Sequence, residues 1–149
     1  MLLRTHLVFG IFFILLFFQY VQQGFLFALF VLIASAVPDI DTQNSSYGRH
    51  LIFRPLQFIF KHRGVLHSIF AAVLFSGIIA IFWPVASLGF FVGYSIHLVV
   101  DSFTKEGVFA FWPFSWQSKG PILSGGIVDE TLFFVMIVVD LLVFVFFLL

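Results

Sequence analysis

The sequence has no cysteine and little charge, and both absences exclude classes of protein. Without cysteine there is no disulfide and no thiolate metal site. Only 9% of the 149 residues are charged, whereas soluble domains carry about 25%, so an ordinary water-soluble globule is excluded. The net charge is zero with histidine neutral, and no basic tract indicates a nucleic-acid partner. The HExxH, Walker and GxSxG patterns are also missing, so the mechanisms that use them have no support.

Apolar residues are abundant: 62% of the chain is hydrophobic, including 25 Phe. A helix that crosses a bilayer needs about 20 residues, with about 17 near the lower limit. The first apolar segment has no small-residue cleavage site, so we interpret it as a retained span and not a signal peptide. The sequence predicts an all-α polytopic membrane bundle, in one domain over residues 1–149. Its five predicted transmembrane helices cover residues 2–19, 22–39, 65–82, 85–103 and 127–149.

The two long connections and the basic residues indicate the orientation. The connection between spans two and three contains LIFRPLQFIFK, residues 51–61, which predicts an interfacial amphipathic helix. The connection between spans four and five is rich in aromatic residues that suit the headgroup layer. With five spans, the N-terminus and both long connections share one side, and the C-terminus lies on the other. By the positive-inside rule the shared side of an inner-membrane protein is cytoplasmic, because it carries Arg4, Arg49, Arg54, Lys61, Arg63, Lys105 and Lys119.

Ionisable residues collect at the predicted cytoplasmic ends of the spans. They are His6, Asp39, Asp41, His62, His67, His97, Asp101, Asp129 and Glu130. Each alone suits an ordinary interfacial position, but the combination is harder to explain that way. His97 and Asp101 are four residues apart and share one helix face. Asp39 and Asp41 point the same way if the chain is extended there, and His62 can join His67 only if Gly64 allows a turn before the helix.

Imidazole and carboxylate together are the ligand set of Zn²⁺, Mn²⁺ or Fe²⁺. Since the chain has no cysteine, a catalytic zinc site with an open position is favoured over a structural one. The number of candidate ligands also allows two ions, the arrangement used in phosphoester hydrolysis. The predicted ligand pool is His6, Asp39, Asp41, His62, His67, His97 and Asp101.

The same motifs resemble those of the YdjM-like family of membrane-bound, metal-dependent hydrolases, some of which are LexA-regulated. The matching pieces are THLVFG, VPDIDTQNSSYGR, HRGVLHS, GYSIHLVVDSFTKEGVFAFWPFS and the acidic start of the last span at Glu130. Two positions depart from the family pattern, Leu66 where a threonine is usual and Lys105 where a proline is usual. Neither departure removes a candidate ligand.

The resemblance implies a single membrane-embedded, metal-dependent hydrolase-like domain that binds one to three divalent ions, with zinc as the leading choice. It suggests a distant relation to zinc phospholipase C and P1-type nucleases, and so by analogy a phospholipid phosphoester as substrate. Glu130 would be a ligand or the general base. Arg63, which is always charged, would hold a phosphate oxygen bidentately.

Two other interpretations stay open. The first is a non-enzymatic membrane protein, either a divalent-cation transporter or a metal-stabilised scaffold. Asp140 supports it, because it lies in the middle of the last span, where a charge is costly. The second is a metal-free polar network, in which the carboxylates would have only Arg4, Lys61 and Arg63 as obvious partners. No particular protein partner is indicated.

Overall fold

The structure is a computed structural model that describes residues 1–41, 50–51, 54 and 64–148. Five α-helices have both ends within these residues, and short 3₁₀ turns precede or follow three of them. The helices are α1 Leu3–Phe17, α2 Gly24–Ala34, α3 Ile69–Ala80, α4 Pro84–Ser102 and α5 Ile127–Leu148. The predicted interfacial helix at residues 51–61 lies outside the described residues, apart from Leu51 and Arg54.

The prediction of an all-helical membrane bundle is confirmed. Four segments of the described chain are long and apolar enough to cross a membrane, and α3 is a shorter apolar helix. The four are Leu3–Tyr20, Gly24–Asp41, Pro84–Ser102 and Ile127–Phe147.

The predicted third span was wrong in its bounds. Residues 65–67 form a 3₁₀ turn, and Ser68 is extended and accepts a hydrogen bond from the N–H of Ala71, which starts α3 at Ile69. The helix then has twelve residues and a length of about 18 Å, well short of the roughly 30 Å hydrocarbon layer. His67 therefore lies outside the membrane-spanning segments, in the turn before α3.

Helix α4 is the centre of the bundle. It packs against α1, α2 and α3, while α5 packs against α1. Two glycines four residues apart, Gly89 and Gly93, face the backbone of α2: a Cβ on them would lie 2.5 Å from the carbonyl oxygen of Phe27 and 2.2 Å from that of Val31. Such small-xxx-small spacing lets membrane helices approach closely. The close approach brings the end of α2 beside the last turns of α4.

The connection between α4 and α5 folds back on itself at the same end of the bundle. Isolated β-bridges join Thr104 to Ile122 and Val108 to Ser118. The N–H of Ile69, at the start of α3, donates to the carbonyl of Ala110 at 2.8 Å. Four large aromatic side chains of this connection are exposed, namely Phe111, Trp112, Phe114 and Trp116. Their place in the headgroup layer stays a prediction.

Candidate metal centre

Four ionisable side chains from three parts of the chain meet at one end of the bundle. They are Asp39, His67, His97 and Asp101, and each offers a ligand atom within 4.8 Å of the others. The first lies in the 3₁₀ turn Val37–Asp41 after α2, the second in the turn before α3, and the last two in the final turns of α4. Both imidazoles are fully buried, and Asp39, with 14% of its side chain exposed, is the most accessible member.

The distances within this group suit a single metal ion. The Nε2 atom of His67 lies 3.7 Å from Asp39 Oδ1 and 4.0 Å from Asp101 Oδ2. The Nε2 atom of His97 lies 3.7 Å and 3.6 Å from the same two oxygens. A tetrahedral ion with bonds of about 2.0–2.1 Å holds its ligand atoms about 3.3 Å apart. The four histidine–carboxylate distances are therefore within about 0.7 Å of those that a tetrahedral ion requires.

Both histidines are held with Nε2 directed into the group. His97 Nδ1 donates to the carbonyl oxygen of Ser35 at 2.8 Å, and His67 Nδ1 is 3.1 Å from Asp41 Oδ2. Metal-binding histidines almost always donate their second ring nitrogen in this way. His97 Nε2 is buried and has no hydrogen-bond partner among the described residues, which is costly unless a further group binds it. The residues present fit a divalent cation.

The two aspartates of the VPDID motif do not point the same way. The segment is a 3₁₀ turn, so the extended chain that would have let both carboxylates point the same way is absent, and residues two apart diverge. Asp39 approaches Nε2 of His67 and Asp41 approaches Nδ1 of the same ring. Asp41 therefore holds the ring of the candidate ligand His67 and lies outside the four-residue group.

The imidazole of His67 has a raised pKa. Burial by itself lowers this pKa, but the hydrogen bonds to Asp39 and Asp41 outweigh burial and raise it from 6.5 to about 9. The ring is therefore protonated at neutral pH in the metal-free protein. A metal ion that binds Nε2 must displace this proton.

His6 and the start of the chain lie behind Asp101. The His6 ring stacks on His97 with 4.0 Å between centroids and 10° between planes. Its Nε2 lies 3.3 Å from Asp101 Oδ1, an oxygen that the Met1 amino group also contacts. These contacts hold Oδ1 and leave Oδ2 directed toward His97 and His67. His6 therefore borders the group and contacts Asp101, one of its candidate ligands.

The two acidic residues at the start of α5 contact the beginning of the chain and not the four-residue group. Glu130 forms an ion pair with Arg4, and both side chains are about 40% exposed. Asp129 accepts hydrogen bonds from Thr5 Oγ1 at 2.6 Å and from the N–H of Leu2 at 3.0 Å. These contacts fasten α5 to α1, and neither carboxylate belongs to the four-residue group. The role of Glu130 as ligand or base stays a prediction that no contact of the described residues supports.

Two other predicted site residues, His62 and Arg63, lie outside the described residues. The sequence analysis in turn missed Tyr94, a fully buried side chain of α4 whose hydroxyl donates to the carbonyl oxygen of Leu66. Tyr94 thereby holds the turn that carries His67. The signal that was available is GFFVGYSIH, in which two glycines four apart precede the tyrosine and the histidine.

Comparison with known proteins agrees with the family resemblance of the sequence. The family described as YdjM inner membrane protein matches residues 1–148. The proteins named inner membrane protein YdjM from Escherichia coli (strain K12) and Shigella flexneri are each 35% identical over 99 residues, which is 58% of this chain and 49% of the relative. The chain thus spans about half the length of the curated relatives it matches, and no solved structure matches it. With its apolar helices, this integral membrane protein belongs to the YdjM inner membrane protein family.

Proposed function

We propose that this protein is a membrane-embedded, metal-dependent hydrolase that cleaves a phosphoester of a membrane lipid. The observation that carries the proposal is the convergence of two Nδ1-anchored histidines and two carboxylates within 4.8 Å. Two imidazoles and two carboxylates balance the charge of a divalent ion, and zinc is our first choice because it accepts both ligand types. Such an ion supplies Lewis-acid chemistry, polarising a phosphoryl oxygen and activating water.

The residues around this ion would have three roles: binding it, orienting its ligands and holding the substrate. Asp39, His67, His97 and Asp101 would bind it, and Asp41 and the carbonyl of Ser35 would keep the two imidazoles in their binding tautomer. His6 would keep Asp101 oriented. Arg63, as inferred from the family motif, would hold the substrate's phosphate charge.

A lipid substrate suits the position of the group at the end of membrane-spanning helices. The relatives carry the name inner membrane protein, and we propose the same membrane for this chain. The one-sided distribution of Lys and Arg supports an orientation with the group toward the cytoplasm. A substrate would then approach from the cytoplasmic leaflet.

Metal analysis of the purified protein tests the proposal. We expect about one equivalent or more of zinc in the wild type and a near-complete loss in the double variant His97→Ala/Asp101→Ala. His50→Ala is the matched control, because His50 is exposed. Near-zero metal in all three proteins, with none taken up on addition, would contradict a metal centre. Metal-loaded protein that releases no headgroup phosphate from phospholipid vesicles would contradict the hydrolase while leaving the metal centre in place.

A second candidate function is transport of a divalent cation. It is favoured by Asp140, a carboxylate of α5 that is 8% exposed and whose Oδ1 has no hydrogen-bond partner among the described residues. Uptake of Mn²⁺ into proteoliposomes that is abolished by Asp140→Ala would support transport over hydrolysis. No uptake above that of empty liposomes would exclude it.

A further inference from the structure

A long groove runs along the outside of the bundle between α1, α4 and α5. Its volume is about 700 Å³, within the range of about 300–1,000 Å³ typical of small-molecule sites. Phe9 and Phe13 of α1, Val92 and Val99 of α4 and Leu132 of α5 are among the side chains that line it. All three helices belong to segments apolar enough to cross a membrane, so the molecules that can enter the groove come from the bilayer.

The length of the groove matches one leaflet. Its lining runs from Phe91 of α4 to Phe103, the residue that directly follows this helix, and these twelve residue steps rise about 18 Å along a helix. The hydrocarbon core of a bilayer is about 30 Å thick, so one leaflet contributes about half of that. A chain that lies along the groove would extend from the end with the metal centre to about the middle of the membrane.

The lining is hydrocarbon, which limits the occupant. Twelve of the thirteen lining residues are apolar and five of these are Phe, and the exception is Ser95, whose hydroxyl is covered by protein. A headgroup or a hydrated cation would lose its hydrogen bonds there without replacement. A second membrane helix is also a poor fit, because helix interfaces in membranes use small residues and this surface presents large rings. A flexible acyl chain needs neither polar partners nor small residues.

The groove ends beside the metal centre. Met1 lines the groove, and its amino group contacts Asp101 Oδ1. On α4 the groove residues Ile96 and Val100 directly precede His97 and Asp101. A lipid whose chain lay in the groove would therefore carry its polar end to the side of the bundle where the candidate ligands meet.

We propose that this groove binds one acyl chain of a glycerophospholipid from the leaflet on the side of the metal centre. The inference rests on the proposed hydrolase and narrows its membrane-lipid substrate to a glycerophospholipid with a long acyl chain. A second apolar groove, of about 590 Å³ and lined by residues such as Leu7, Ile11 and Leu32, lies between α1 and α2. We favour the first because three helices enclose it, whereas the second is bounded by two helices and a turn.

Photolabelling tests the groove directly. The full chain is reconstituted in phosphatidylethanolamine–phosphatidylglycerol vesicles that contain a trace of phosphatidylcholine with a diazirine on its acyl chain, and the labelled peptides are identified by mass spectrometry. Because bilayer chains are as apolar as the groove, we expect a modest enrichment, about three- to tenfold, of label on α1 and α4 groove residues over lipid-facing Phe25. Equal labelling of all lipid-facing helices, or crosslinks to a second copy in place of lipid, would overturn the proposal.

A matched pair of variants blocks or spares the groove. Val99→Trp adds bulk at a groove residue that is 57% exposed, and Leu29→Trp adds the same bulk at a lipid-facing residue of α2 that is 53% exposed. Since both side chains already face outward, both variants are expected to fold and to keep their metal. We expect Val99→Trp alone to abolish the enrichment of label. Equal effects of the two variants would contradict the inference.

Photolabelling does not require catalysis, so the groove proposal and the hydrolase proposal can be refuted independently. Groove labelling that persists in His97→Ala, together with no hydrolysis by the wild type, would leave the lipid site standing and remove the hydrolase. If the wild type cleaves phospholipid, we expect Val99→Trp to slow cleavage of long-chain vesicle lipid several-fold more than cleavage of a dispersed short-chain analogue. An unchanged ratio of the two rates would overturn the groove as a substrate site while leaving the hydrolase intact.

Discussion

Gly93 sits where α4 presses against α2, and its replacement by alanine is the sharpest test of how the centre is assembled. A Cβ at this position would lie 2.2 Å from the carbonyl oxygen of Val31 and 2.9 Å from its Cα. Both atoms belong to the backbone, so no flexible side chain can move aside. Ordinary van der Waals contact begins near 3.4 Å, and α2 and α4 must therefore separate locally by about 1 Å.

That displacement acts on the metal centre through the end of α2. The hydrogen bond from His97 Nδ1 to the Ser35 carbonyl would lengthen from 2.8 Å to about 3.8 Å, beyond hydrogen-bond range. The separation of Asp39 Oδ1 from His97 Nε2, now 3.7 Å, would grow to about 4.7 Å. An ion with bonds of about 2.1 Å cannot bridge atoms farther apart than about 4.2 Å. The centre would lose a carboxylate ligand and the orientation of one imidazole.

The expected result of Gly93→Ala is a weaker metal affinity and a less stable bundle. Loss of an outer contact alone costs about 10–100-fold in affinity, so we expect at least about 100-fold when a ligand is lost as well. Overpacking adds about 1–3 kcal/mol of destabilisation. Zinc titration in detergent and thermal unfolding of the metal-free protein measure the two effects separately.

Gly77→Ala is the control. Gly77 lies in α3, and a Cβ there meets no atom within 4 Å, so alanine should leave metal affinity unchanged and slightly favour the helix. If Gly93→Ala binds zinc as tightly as Gly77→Ala, the close α2–α4 contact does not set the geometry of the centre, and the reasoning is refuted.

Three further predictions follow from the centre and the topology. Because the pKa of His67 is about 9 in the metal-free protein, zinc affinity should rise with pH up to about 9. Calorimetry at pH 7 in buffers of different ionisation enthalpy should detect the proton that zinc releases from this ring. A binding enthalpy that is the same in all buffers would contradict the prediction. Asp41→Asn should weaken zinc binding by about 10–100-fold while one ion still binds at saturation, and complete loss of binding would make Asp41 a direct ligand. Since the native chain has no cysteine, a single cysteine can be introduced and labelled at either end of the bundle, by Gln22→Cys or by Ser115→Cys, both at exposed positions. In spheroplasts an impermeant maleimide should modify only Gln22→Cys. Labelling of Ser115→Cys alone would show the orientation opposite to the proposed one.

The part of the site that the sequence predicts well lies within one helix. A spacing of four residues places His97 and Asp101 on one face of a helix whatever its surroundings, and both do face the same group, with 3.6 Å between His97 Nε2 and Asp101 Oδ2. The sequence predicts the helical membrane class equally well, since composition and the length of the apolar segments determine it.

The turns that carry the remaining ligands were beyond sequence reasoning. Whether residues 37–41 are extended or a 3₁₀ turn depends on contacts with other helices and not on local propensity. The same holds for the turn at His67, which the Tyr94 hydroxyl holds from α4 through the carbonyl of Leu66. Position along the membrane normal also did not reveal where a side chain points. Glu130 lies in the first turn of α5, at the same end of the bundle as the candidate metal group, but the rotation of α5, fixed by the contact between Asp129 and Thr5, places its side chain against Arg4.

The close contact between α2 and α4 also sets the stage of membrane insertion at which the candidate metal site can form. Ser35 and His97, which contact each other where α2 meets α4, are 62 positions apart in the chain, so the segment with Ser35 is synthesised before the one with His97. Membrane helices insert first and associate afterwards, and until then Asp39 remains at the end of a helix without the histidine of α4. The proposed ion would meet its full set of ligands only after α2 and α4 have associated.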